Sequence, residues 1–179
     1  MSNIAAAAAL IGHRGVLGEA EKESLPMSDI KQDFWKALDA SPYVMVGMTG
    51  EHAHHIPMNA QLDKDADGAF WFFTATDNRL AGGGAAMVQF ASKGHDLFAC
   101  LAGTLRPETD RAVLDKLWNN GVAAWYSGGK DDPKLVLLRF DIGDAEIWTA
   151  EPGLKGMFKL ATGMTMKEGE LGQHATVSL

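Results

Sequence analysis

From Met27 onward the apolar positions fall first at a helical spacing and then at a strand spacing. Ile30, Phe34, Trp35, Ala37 and Leu38 recur on one helical face behind Ser28, a capping residue, and Asp29, until Ser41-Pro42 stops the run. Strand-like segments follow at 43–49, 56–62 and 69–74, separated by the turn residues Gly50-Glu51 and 63–68. Three short strands with tight turns predict an antiparallel meander. Residues 77–81 predict a brief helical turn, broken by Gly82-Gly83-Gly84, which reads as a flexible connection. Strand signals return at 87–91 and 96–105, where Gly103 marks a bulge or a close backbone approach. Thr109 and Asp110 cap a helix over 111–119 that Gly121 ends or follows, and a Gly/Asp/Pro-rich loop spans 125–133. A hairpin is expected from 135–141 and 145–149, turning at Ile142-Gly143-Asp144, then a short helix near 153–160 and a final segment, 174–179. The sum is a mainly β chain: a small antiparallel barrel with peripheral helices, not an alternating β/α sheet.

Residues 1–26 break this pattern. An alanine run, three glycines and an acidic stretch read as a leader without chemistry, and no basic residue precedes the run as a signal peptide requires. The domain is therefore expected over 27–179. The longest aliphatic run, 4–11, falls well short of the roughly 20 residues that cross a bilayer. Sixteen Lys plus Arg against 23 Asp plus Glu give a net charge of −7, with no basic cluster, which argues against nucleic acid. A single cysteine, Cys100, flanked by apolar residues, reads as an inert thiol in a reducing, cytoplasmic compartment.

Familiar catalytic motifs are missing. There is no Gly-x-Gly-x-x-Gly after a strand, no phosphate-loop Gly-Lys-Ser/Thr and no Gly-x-Ser-x-Gly elbow. His52, His54 and His55 cluster, but no third and fourth ligand motif accompanies them, so a metal site is the weaker reading. What remains is Phe72-Phe73-Thr74 at a strand end followed by Asp77-Asn78-Arg79. A hydroxyl, an amide, free backbone N–H groups and a guanidinium are what a phosphate needs. Arg79 is the only basic residue between Lys64 and Lys93. The alternative is that Thr74, Asp77 and Asn78 cap the turn while Arg79 is solvated.

An ordered set of residues now carries a resemblance: Ile56-Pro-Met58, Phe70-Trp-Phe-Phe-Thr74, Asn78-Arg79, a strand ending at Gly103, Leu117-Trp118, Trp125-Tyr126 with Asp132-Pro133, and Ala145-Glu-Ile-Trp148. Together these resemble the general stress protein 26-like branch of the pyridoxamine 5′-phosphate oxidase-like family, over essentially all of 27–179. The resemblance implies a split β-barrel of the FMN-binding type that dimerises and holds FMN between subunits. It further implies that His55, Ile56, Pro57 and Met58 lie along the flavin, that Phe73 and Thr74 form a second contact, and that Asn78 and Arg79 bind its phosphate. Trp148, with Trp125 or Tyr126, would cover the ring from the other subunit. The sequence departs from the family pattern at His55, where arginine is usual, and at Leu80, where lysine is common. Ala60 replaces the strand lysine of the true oxidases, and their C-terminal Arg-x-His has no counterpart. The expectation is an FMN-dependent oxidoreductase acting on an unidentified small molecule, not a pyridoxamine phosphate oxidase; the alternative is a flavin-holding stress protein without turnover.

Overall fold

The structure, a computed structural model, describes residues 27–149 and 173–179; the leader expected over 1–26 and the short helix near 153–160 lie outside them. Helix α1 (Met27–Ala40) buries Ile30, Phe34 and Leu38, four residues apart, on the sheet. Seven strands follow: β1 (Tyr43–Met48), β2 (Ile56–Asn59), β3 (Ala69–Ala75), β4 (Gly84–Ala91), β5 (Leu97–Pro107), β6 (Leu135–Thr149) and β7 (Gln173–Val177). Two helices, α2 (Arg111–Leu117) and α3 (Asn120–Ala123), lie between β5 and β6.

The ladder order is β2-β1-β4-β5-β6-β3, every pairing antiparallel, with β7 beside the second half of β6. β2 and β3 are thus opposite edges of one strongly curled sheet. Only an isolated bridge joins them, Gln61 to Trp71, with backbone bonds of 2.7 and 2.9 Å. The barrel is split as expected, and the sheet is not closed by a ladder. The predicted meander is corrected here: β1 and β2 pair, but β3 crosses to β6, because its aromatic inner face, Phe70 and Phe72, packs on Phe140 and the main core.

The predicted hairpin at Gly143 is also corrected. β6 is one strand of 15 residues, and Gly143 is the extra residue of a bulge: Ala102 faces Asp144 while Gly103 faces Ile142. Gly103 marks the close approach foreseen for it. A Cβ there would stand 2.3 Å from the Asp141 carbonyl oxygen. Residues 77–81 form consecutive β-turns instead of a helical turn, with Asn78 N–H donating to Ala75 and Ala81 N–H to Asn78. Nor is the glycine triplet a slack connection, since Gly84 opens β4 and Gly83, at φ 68°, packs against the Leu105 carbonyl. Gly121 follows the end of the preceding helix, whose last residue is Leu117, and itself lies within α3.

Inside the barrel, side chains from all seven strands and α1 form the main core, including Val46, Phe72, Val88, Leu101, Phe140 and Ile147. A second, smaller core lies on the outer face, where α2 sets Leu117 over Ala69, Trp71 and Leu137. Among the described residues no helix is long and apolar enough to cross a membrane.

Candidate functional site

The split itself makes the site. Between the edges β2 and β3 lies a groove of about 690 Å³, a size suited to a small-molecule ligand. One wall is Pro57, Met58 and Asn59 of β2, with Tyr43 beside them on β1; the opposite wall is Phe73 and Thr74 of β3. The segment after α2 supplies the rim, with Asn119, Val122, Trp125 and Tyr126. Asp110 starts α2 by accepting from the Ala112 N–H at 2.8 Å, and Asn119 starts α3 by accepting from Val122 at 3.1 Å. These two caps fix the direction in which Trp125 and Tyr126 leave the helices.

Aromatic contacts stiffen the far wall. The Trp118 ring meets Phe73 edge-on at 5.7 Å and Tyr126 at 6.3 Å. Burial, aided by the negative charge of Asp132, pushes the Tyr126 phenol above its ordinary range, so it stays protonated. Among the described residues, no side chain lining the groove is a carboxylate, an ammonium, a guanidinium or an imidazole. Trp125 stands at the lip and is 85% exposed.

Beyond Thr74 the chain turns through Asn78, whose Oδ1 accepts from the Leu80 N–H at 2.9 Å. Asn78 lines the groove; Arg79 does not, but its guanidinium donates through one nitrogen to the His54 carbonyl. That contact ties the β3–β4 turn to the loop preceding β2 and leaves the remaining guanidinium N–H groups for an anion. Leu80 is fully buried in the main core, so a cation at that position would not face the groove.

The other expected residues lie apart from the groove lining. Ile56 and the buried Ala60 pack inward from the β2 segment. His55 lays its imidazole across the sheet at Gly47, where a Cβ would come within 2.1 Å of the ring; this accounts for a glycine in the middle of β1. Trp148 stands on β6, stacked on His174 at 5.0 Å and 9°. It is not a groove residue of its own chain. The described side chains contain no group of three or more His, Cys, Asp or Glu able to hold a metal, so His52, His54 and His55 do not converge on one. Cys100 is half-buried on β5, and burial together with Glu146 and Asp144 raises its pKa, as suits an unreactive thiol.

Several groove residues were not anticipated, and four of them carry polar groups. Tyr43, Asn59, Gln61 and Asn119 come from separate elements, and Asn119 Nδ2 donates to Gln61 Oε1 at 3.0 Å while Gln61 Nε2 donates to Asn59 Oδ1 at 2.6 Å. The cap position of Asn119 was the only signal in the sequence, since 58 residues separate it from Gln61.

An antiparallel split barrel with a neutral, aromatic-walled groove between its edge strands defines a class of small-molecule-binding domain. The particular family follows from comparison: the model described as "Pyridoxamine 5′-phosphate oxidase like" matches residues 29–171, and the chain belongs to that family. Among solved structures, the general stress FMN/FAD binding protein from Xanthomonas citri is 48% identical, over 71% of this chain and 93% of that one, with a TM-score of 0.65. A structure from Jannaschia sp. CCS1 assigned to general stress protein 26 is 35% identical, over 86% of this chain and 100% of that one, with a TM-score of 0.70. A protein from Clostridium acetobutylicum related to general stress protein 26 shares the fold at 22% identity and TM-score 0.60, over 84% of this chain and 95% of that one. Curated proteins gave no significant match.

Proposed function

We propose that this chain is a cytoplasmic FMN-binding protein that holds the flavin in the groove between β2 and β3 and acts as a flavin-dependent oxidoreductase on a small molecule. The observation that carries this reading is the groove itself: flat apolar and aromatic walls for a ring system, ending at a turn rich in phosphate donors. The residues fit the group. Pro57, Met58 and Phe73 would face the ring, with His55 and Ile56 ordering the strand, while Thr74, Asn78 and Arg79 would hold the phosphate. The name of the 48% identical Xanthomonas protein, which includes FMN/FAD binding, supports the same cofactor class. A bound flavin supplies hydride or electron transfer; the chain supplies placement and a water-poor, uncharged wall.

A homodimer belongs to this reading. Tyr43, Met45, Phe98 and Trp148 are exposed, and cross-strand register puts Tyr43 and Met45 on the same outer face as Gln89, Cys100 and Trp148. A second copy covering that face would let Trp148 reach its neighbour's flavin. True pyridoxamine phosphate oxidation does not fit, because Ala60 is buried and among the described residues no cation lines the groove in its place.

Among the described residues the groove lining holds no carboxylate, imidazole or amine, only the phenols of Tyr43 and Tyr126 as acids, and this favours a second reading, a flavin holder in a stress response without turnover. The purified protein decides between them. A flavin spectrum with bands bleached by NAD(P)H and restored by an acceptor supports the enzyme; a flavin inert to every donor supports the holder. Arg79→Ala should lower FMN affinity about tenfold or more with the fold intact by circular dichroism. Unchanged FMN affinity would remove Arg79 from the phosphate site.

A further inference from the structure

Three of the carboxamides along the groove, Asn119, Gln61 and Asn59, form a chain of fixed polarity. Asn119 is anchored at both ends of its amide: Oδ1 accepts from Val122 N–H at 3.1 Å, and Nδ2 donates to the Leu117 carbonyl at 3.2 Å as well as to Gln61. Turning this amide over would set N–H against N–H and oxygen against oxygen, so its orientation is dictated by backbone. Gln61 must therefore offer its oxygen to Asn119 and its NH₂ to Asn59. Its own backbone is pinned by the bridge to Trp71. At the end of the chain, Asn59 has its Oδ1 occupied, and among the described residues nothing accepts from its Nδ2. The groove thus presents an oriented N–H donor, held in place by two residues behind it.

The surroundings narrow what that donor meets. Among the described residues no charged side chain lines the groove, so a charged ligand group placed away from the turn that carries Arg79 would lack a counter-charge. Tyr126 and the exposed Trp125, on the rim, offer faces to a second flat ring. A ring oxygen that accepts and cannot donate matches the fixed polarity.

We infer that Asn59 is a specificity-determining residue whose amide N–H binds the carbonyl oxygen of an uncharged, flat ring compound of the quinone class, lying in the groove beside the flavin. This inference rests on the flavin-binding reading and deepens it by naming the substrate class. Gln61 and Asn119 are positioning residues that act through Asn59.

The experiment titrates the protein, as purified and saturated with FMN, with duroquinone, whose methylated ring has no free position for addition to Cys100, and with durene, which lacks the carbonyls. Calorimetry gives affinity, and the side-chain amide signals in ¹H–¹⁵N spectra give the site. Duroquinone should bind and shift the Asn59 NH₂ signals, and durene should bind at least tenfold more weakly. Asn59→Asp, the same shape with an acceptor in place of the donor, should lose duroquinone affinity about tenfold or more while keeping its flavin absorption. Asn119→Asp keeps an acceptor for Val122 but cannot donate to Gln61, and should lose affinity a few-fold. Equal duroquinone affinity in wild type and Asn59→Asp overturns the inference. So does loss of flavin from Asn59→Asp, which would make the amide part of the flavin site. A wild-type chain that takes up no FMN overturns the underlying reading instead, and the duroquinone titration of that chain still reports separately on Asn59.

Discussion

The two halves of β6 alternate in the same way but end in different surroundings. In the first half, the outward Leu137 is buried with Trp71 under α2, and Arg139 lies 5.2 Å over the Trp71 ring. In the second half, past the bulge at Gly143, the outward Trp148 and its neighbour Phe98 remain 37% and 39% exposed. Both halves present large apolar groups on the outer face. The chain covers one with its own helix, inserted between β5 and β6, while among the described residues the other stays partly exposed, with His174 stacked on Trp148. A partly exposed apolar face of this kind is where the proposed second copy would pack, whereas the covered one is part of the monomer's own stability.

The largest expected effect tests the covered half. Trp71 is buried, donates its Nε1–H to Glu108 at 3.2 Å and carries the Gln61 bridge. Trp71→Ala should cost roughly 3–5 kcal/mol and lower the melting temperature on the order of 10 °C. A drop of only a degree or two would mean that α2 does not hold a core, and the contrast between the halves would collapse.

The next effect tests the partly exposed half. Phe98→Asp puts a charge in the centre of the exposed face, so if the proposed homodimer forms through it, sedimentation should show a dimer for the parent chain and a monomer for the variant, with a much smaller change in melting temperature. A large loss of thermal stability in the isolated monomer would show that this face, too, is internal. An unchanged dimer would move the interface elsewhere.

How far these features could be read in advance depended on whether their cause was local. The α1 stripe, the strand segments, the Asp110 cap and the tight fit at Gly103 are written in adjacent residues, and the structure has them where they were expected. Gly143 was misread because Gly between Ile and Asp carries the same local signal in a bulge as in a turn; only the opposing strand distinguishes them. The move of β3 to β6 depends on partners some 70 residues away, which no short window contains. At the site, Thr74 and Asn78 were legible as a donor-rich turn, and Pro57, Met58, Phe73 and Trp125 through the family pattern. The amide chain was not, because Asn59, Gln61 and Asn119 acquire meaning only once the split brings them together.

The smallest effect sharpens the account of how the cover is fastened. Lys116 of α2 donates to Asp63 at 2.6 Å and to Asp65 at 2.7 Å, tying the helix to the loop after β2. The Lys116 hydrogen bond, with help from the Asp65 backbone N–H, holds the Asp63 carboxyl below its ordinary value near 3.8, against a burial that raises it. The same contacts raise Lys116 above its ordinary value near 10.5. A depressed carboxylate contributes stability above its unfolded pKa and loses it as pH falls through the folded one; a raised ammonium contributes below its unfolded pKa and loses it as pH rises through the folded one. The tie is therefore complete between about pH 4 and 10 and fails at both ends. Asp63→Asn should melt slightly below the parent at neutral pH, with the small deficit usual for a partly exposed pair. The two melting curves should begin to converge as pH falls below about 4 and meet once it has fallen through the lowered pKa of the parent's Asp63. A deficit that stays constant into acid would mean that Asp63 acts through its shape and not its charge, and that α2 is held over Trp71 by packing alone.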